Sequence, residues 1–478
     1  MHVRTNTRLR LPILVLVAIA ARALTFGNPV VHVDEEFYFV VGHRMWQGVL
    51  PFVDIWDRKP VGLFLLYAVP AAFGFPLGIW AYQLLALASA IATAAMVAAL
   101  ATRSGYRAGA TAAGIAYLLW LELLGGQGGQ APVFYNLLTI AAALLILAPV
   151  GAAHRRLRGV AAMALIGTGL QIKTSLVFEG AFFGLWLLAG SWQATRRPLA
   201  VAGDAMLFAG VALLPSVAAA AYYALIGQWP AFLYANLLSI FARKADPLSE
   251  LAGNLGQMVL IVSPLVALAI VALRRSGGEP AAHRERRFLA LWLAVAIGSV
   301  AVFRPWFDHY ALPVLLPACA AAAGMLGSAG WRRHFTPALL LAAALAGQVV
   351  LVAQRAGRGD ARQFAALTRA VGPGPGCLFV YSGTTMLYAA TGRCLVSRYV
   401  VPSHLSRLRE AGATGVDQDS ELRRILAARP GTVVMRPPYN GERPAAHALV
   451  AAAMARDYRL TARLPMGNEA ISVYQLRR

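Results

Sequence analysis

Runs of about 17–25 apolar residues, broken by short polar loops, recur along the first 350 positions. That is the length a helix needs to cross the hydrocarbon core of a bilayer. The pattern predicts helical spans over 11–27, 79–101, 108–124, 133–150, 159–172, 176–190, 200–226, 253–273, 288–303, 311–328 and 335–353, eleven in all. The run 61–76, VGLFLLYAVPAAFGFP, is apolar but short, with internal Pro and Gly. It predicts an interfacial or re-entrant helix rather than a crossing. After about residue 354 the pattern changes. GPGPG at 372–376 is a breaker cluster, CLFVYSG and GTVVMRP have the look of buried strands, and AISVYQLRR closes as a third strand. SHLSRLREAG, SELRRILAARP and PAAHALVAAAMARDY show helical amphipathic spacing. The expectation is a polytopic α-helical membrane domain over 1–354, followed by a small α/β domain over 355–478.

Composition agrees. The chain of 478 residues is 59% hydrophobic and 13% charged, where a soluble domain carries about 25% charged residues. The net charge is +22. In a soluble protein that excess would suggest nucleic acid, but here the arginines gather in short loops between apolar runs. TRSGYR, GAAHRRLR, SWQATRRP, RRSGGEPAAHRERR and GWRRH alternate with loops that hold few basic residues. The positive-inside rule then puts the N-terminus and these loops in the cytoplasm. The opposite loops and the C-terminal domain fall outside, at the cytoplasmic (inner) membrane. The basic N-terminal flank is read as leading into an uncleaved first span. Cys319 lies in an apolar run. Cys377 and Cys394 are able to pair if their region is extracytoplasmic, though spacing does not fix the geometry.

The acids are scarce and unevenly spread. Five of 21 lie between His32 and Pro60, as Asp34, Glu35, Glu36, Asp54 and Asp57, and the next is Glu122. Acids in a solvated outer loop are ordinary, but this loop also holds Arg58 and Lys59. A carboxylate takes a proton from a hydroxyl acceptor, and a Lys or Arg at headgroup depth holds a phosphate. Two other outer stretches carry polar groups at span ends: LQIKTS, with Lys173, and FRPWFDHYALPVLLP, with Arg304, Asp308, His309 and Tyr310. A snorkelling Lys and a structural His are the plain alternatives there.

The stretch DEEFYF…PFVDIWDRKP resembles the first periplasmic loop of the GT-C superfamily of glycosyltransferases, in particular the bacterial protein O-mannosyltransferase-like and lipid A aminoarabinose transferase-like enzymes. GLQIKTS resembles their G…K turn, RPWFDHYALPVLLP their HY…LP segment, and LYAATGRCLVSRYVVP their LY..TGR….RY..P stretch. The matches run in order from residue 32 to about 402. The resemblance implies inverting transfer of a sugar from a polyprenyl-phosphate donor to a hydroxyl of an envelope lipid, glycan or protein acceptor. It implies a base at Asp34, with Glu35 second, and a donor phosphate held by Lys59, with Arg58, Lys173 and Arg304 as further candidates. Tyr38, Asp57, His309 and Tyr310 are candidates for substrate contact. One departure stands out. Many relatives carry a second acid in the next outer loop, and LLGGQGGQAPVFYNLL has none. A bound divalent metal is therefore not expected, since such ions want several oxygen ligands. A secondary transporter, a glycan polymerase or ligase of another superfamily, and an inactive scaffold are the competing readings.

Overall fold

The structure, a computed structural model, describes residues 7–149, 152–275 and 282–477. The basic flank before Thr7 and parts of two arginine loops, at 150–151 and 276–281, lie outside the described residues. The chain forms two compact units. The first comprises Met1–Leu24, Leu84–Ala218 and Pro247–Leu351; the second comprises Thr25–Gln83, Ala219–Asp246 and Val352–Arg478.

Each of the eleven apolar segments falls on a helix. Among the described residues, six helical stretches are long and apolar enough to cross a membrane by length and composition: Leu77–Arg103, Thr174–Thr195, Pro198–Leu225, Leu248–Arg274, Asp308–Leu326 and Phe335–Val371. The other segments are shorter, as in Arg10–Arg22 and Ala110–Leu123, or begin with charged residues, as in His283–Val302. Within the first unit the Leu315–Leu326 helix, buried at every position but Gly324, is central, packing against Leu248–Arg274 and Ala110–Leu123. Its sequence, LLPACAAAAGML, explains this: small residues let helix backbones approach in an apolar medium where bulk hydrophobicity drives nothing. At the tightest point Gly109 lies against the Ala323 carbonyl and Gly327, with no room for a Cβ.

The second unit gathers the first loop with the C-terminal region. Its sheet has the order β1-β2-β4-β3, with β1 (Leu378–Val380) parallel to β2 (Thr432–Met435), and β4 (Glu469–Leu476) antiparallel to both β2 and β3 (Tyr458–Met466). The two all-apolar buried strands are β1 and, apart from Thr432, β2. The Ala361–Val371 helix starts at Asp360, whose carboxylate accepts from the Arg362 and Gln363 amides, and ends at GPGPG with Gly372 at φ 63°. The expected helix in SHLSRLREAG is only Pro402–Ser406 and a turn at Leu408–Glu410. There His404, Arg409 and Glu410 are drawn into ion pairs with distant residues, and tertiary contacts override helical spacing. Cys377 and Cys394 form a disulfide, and Cys319 is free and buried.

Candidate active site

The first-loop acids gather because a helix begins there. His32 caps Val33–Met45, its Nδ1 accepting from the Asp34 amide at 3.1 Å. Asp34, Glu35 and Glu36 occupy the first turn and His43 and Arg44 the last, the arrangement the helix dipole favours. A second short helix, Val61–Ala71, follows Pro60 and packs against the first, so the run 61–76 is a juxtaposed loop helix rather than a long span.

The three acids of that turn meet different fates. Asp34 keeps 27% of its side chain exposed. Glu35 is fully buried, within electrostatic reach of Tyr67 and Tyr82. Glu36 is buried too and accepts from the Thr384 hydroxyl. Burial pushes its carboxyl up to about 7, against the opposing pull of Thr384 and Arg358. Of the two candidate bases, only Asp34 is open to a substrate.

Lys59 stands at the centre. Its ammonium lies 3.2 Å from Asp57 Oδ1 and 3.8 Å from Asp34 Oδ1, and over the rings of Phe37 and Tyr38 at 5.8 and 5.6 Å. Asp57 is buried, receives the Lys59 amide at 3.0 Å, and faces His404 Nε2 at 3.4 Å. Burial alone would raise the Asp57 carboxyl, but Lys59, His404 and Arg58 hold it well below the carboxylate range. It is a fixed anion that positions Lys59. Tyr38 is buried beneath the Lys59 ammonium.

Arg58 faces other partners. It donates to Ser239 Oγ at 3.0 Å and to the Ala413 carbonyl at 2.9 Å, pairs with Glu410 at 2.7 Å, and lies over Trp56 at 4.7 Å. Arg243 joins it on Glu410 at 3.0 Å. Arg58 thus ties the first loop to the 228–250 loop and the C-terminal region. Asp54 turns back on its own loop, accepting from the Leu50 amide.

The remaining candidates belong to the first unit. The Lys173 ammonium lies 4.4 Å above the Tyr310 ring, and Tyr310 packs edge-on against His309 at 4.8 Å. His309 is buried, with Nδ1 3.3 Å from Asp308 Oδ1. Arg304 is exposed, over Trp306. The acid-free second loop meets a carboxylate in space: a Cβ on Gly125 would lie 3.0 Å from Asp308 Oδ2. Glu122, just upstream, is buried and pairs with Arg22 at 3.4 Å, and Arg22 also donates to the Gly126 and Gly128 carbonyls. Among the described residues no group of three or more His, Cys, Asp or Glu is placed to hold a metal ion.

His404, which completes the Asp57 network, had no signal in the sequence beyond a lone His in an amphipathic stretch. The C-terminal motif separates into two roles. Arg393 donates to the carbonyls of Pro375, Gly376 and Cys377 and so secures the breaker segment. Tyr399 is buried and donates to the Thr414 carbonyl at 2.9 Å.

No family model matches the sequence, and no curated protein matches it. Solved structures do. ArnT from Cupriavidus metallidurans bound to undecaprenyl phosphate is similar with TM-score 0.67 at 15% identity, over 99% of this chain and 98% of that one. The apo state of ArnT gives TM-score 0.64 at 16% identity, over 97% of each chain. The archaeal oligosaccharyltransferase AglB from Archaeoglobus fulgidus, in complex with an inhibitory peptide and a dolichol-phosphate, gives TM-score 0.51 at 12% identity, over 89% of this chain and 68% of that one. Identities this low speak for the fold alone: over nearly its whole length the chain shares the fold of the ArnT structures.

Proposed function

We infer that the protein is a membrane glycosyltransferase that moves a sugar from a polyprenyl-phosphate donor to a hydroxyl of an envelope acceptor. The observation that carries this reading is the Asp34–Lys59–Asp57 arrangement on the first loop: one partly exposed carboxylate beside an ammonium held in place by a buried one. The GT-C fold supports it, as does the lipid phosphate bound by the similar ArnT structure.

The Lys59 ammonium holds the donor phosphate and stabilises the charge that grows on it as the sugar leaves. The acceptor oxygen attacks the anomeric carbon from the opposite face. The new carbon–oxygen bond forms as the bond to phosphate breaks, the phosphate keeps the electron pair, and Asp34 takes the hydroxyl proton. The outcome is inversion in one step. Asp57 positions Lys59, and Arg58 secures the loop. Lys173 and Arg304 remain candidates for phosphate, and His309 and Tyr310 for substrate contact, each judged by its own variant.

The reaction belongs at the outer face of the cytoplasmic membrane, where nucleotide sugars are absent and a donor must be lipid-linked. The arginine asymmetry of the loops supports this orientation. The Cys377–Cys394 disulfide supports an extracytoplasmic C-terminal region. The division into a transferring membrane domain, 1–354, and an outer domain, 355–478, belongs to the same reading.

The test is transfer in proteoliposomes from radiolabelled undecaprenyl-phosphate sugars to an envelope extract. Wild type transfers label, and Lys59→Ala loses most of that activity. Absence of transfer from every donor tried would refute the reading.

A further inference from the structure

The second unit holds a cavity that the transfer step does not use. Its volume is about 380 Å³, within the range of about 300–1,000 Å³ usual for small-molecule sites. Phe52 and Trp56 from the first loop, Tyr234 from the 228–250 loop and Tyr399 from the C-terminal region give it aromatic walls. Charge comes from Arg398, Arg424 and Glu421. Glu421 and Arg424 neutralise one another through two contacts of 2.7 Å. The exposed Arg398 leaves the lining with an excess of one positive charge, two arginines against one glutamate.

Aromatic rings suit the C–H faces of a sugar ring, and its hydroxyls suit the Glu421 carboxylate and the two guanidinium groups of the lining. The spare guanidinium selects a negative substituent. The wall is also joined to the candidate active site. Trp56 packs 4.7 Å from the His404 ring, and His404 meets Asp57, which holds Lys59.

We propose that this cavity binds a saccharide carrying a carboxylate or a phosphate, and that this saccharide is the acceptor. Only the word acceptor rests on the glycosyltransferase reading; the binding does not.

The experiment is equilibrium binding to the purified full chain in detergent. The probes are digalacturonate, galactose 6-phosphate, cellobiose and inorganic phosphate, so the two anion types and the bare anion are read separately. Wild type binds at least one anionic sugar more tightly than cellobiose and inorganic phosphate. Arg398→Ala weakens that binding about tenfold and leaves the melting temperature unchanged, since the side chain is exposed. Asp34→Asn binds as wild type even where transfer is lost, so the pocket and the transfer chemistry fail independently. The proposal is overturned if wild type binds neither anionic sugar, if Arg398→Ala binds them equally well, or if inorganic phosphate binds as tightly as galactose 6-phosphate.

Discussion

Three neighbouring acids on one helical turn end in three electrostatic states, and burial decides which. Asp34 stays partly open, Glu35 lies among tyrosines, and Glu36 holds its proton to about 7. The last has a consequence for stability. Unfolded, Glu36 ionises near its ordinary value of 4.5, so between that pH and 7 the fold retains a proton the unfolded chain has lost. Stability from Glu36 is therefore present at low pH and lost as pH rises through 7, on the order of 3 kcal/mol. His404 acts in the opposite sense. Burial lowers its pKa, so its contribution is lost as pH falls below 6.5. Comparison with Glu36→Gln isolates the carboxyl. The stability of the variant relative to wild type grows between pH 4.5 and 7 and is level above, as read from denaturation midpoints across pH. A constant difference across pH would contradict a buried protonated Glu36. The sequence marked Asp34 and Lys59 through charge and motif together. It did not mark the partners of Asp57 and Arg58, because His404 and Glu410 lie far along the chain and a pairwise contact leaves no periodic trace.

At the scale of elements, hydropathy was a strong guide because lipid imposes one rule on every crossing. Each apolar run is helical, and the strands of CLFVYSG, GTVVMRP and AISVYQLRR stand where their apolar residues put them. The strand Tyr458–Met466 was hidden. It is an edge strand with few buried positions, so its alternation is weak, and the helical spacing before it runs on into Tyr458. The Ala361–Val371 helix also went unmarked, although Asp360 followed by Gln363 has capping-box spacing. Close packing of helices gives a clean test. Gly109→Ala forces a methyl against the Ala323 carbonyl and Gly327, and is expected to cost about 1–3 kcal/mol. Gly298→Ala meets nothing within 4 Å and should leave stability level or slightly raised. Thermal denaturation in detergent compares the two; equal effects would mean that the small-residue contact does not hold the first unit together.

At the scale of the whole molecule, the proposed chemistry depends on which side of the membrane each segment faces. Loop arginines carry that information in the sequence, whereas the number of crossings depends on how short and charged helices sit in lipid. Among the described residues, six stretches meet the length and composition for a crossing outright. Cysteine chemistry reads the orientation of the C-terminal region. Cys319 is buried, and Cys377 and Cys394 are paired, with Cys394 exposed. An impermeant maleimide added to intact spheroplasts should label nothing before treatment with an impermeant reductant and should label the C-terminal region after it. Labelling that requires lysis would place that region in the cytoplasm and contradict transfer from a lipid-linked donor at the outer face.

The most direct test of the central claim is the rate of sugar transfer by Asp34→Asn in proteoliposomes supplied with an undecaprenyl-phosphate sugar and envelope acceptor, set beside Glu35→Gln and wild type. Loss of a general base lowers the rate by about 10²–10⁴, and the account predicts that loss for Asp34→Asn with an unchanged melting temperature. Transfer by Asp34→Asn at the wild-type rate would contradict it.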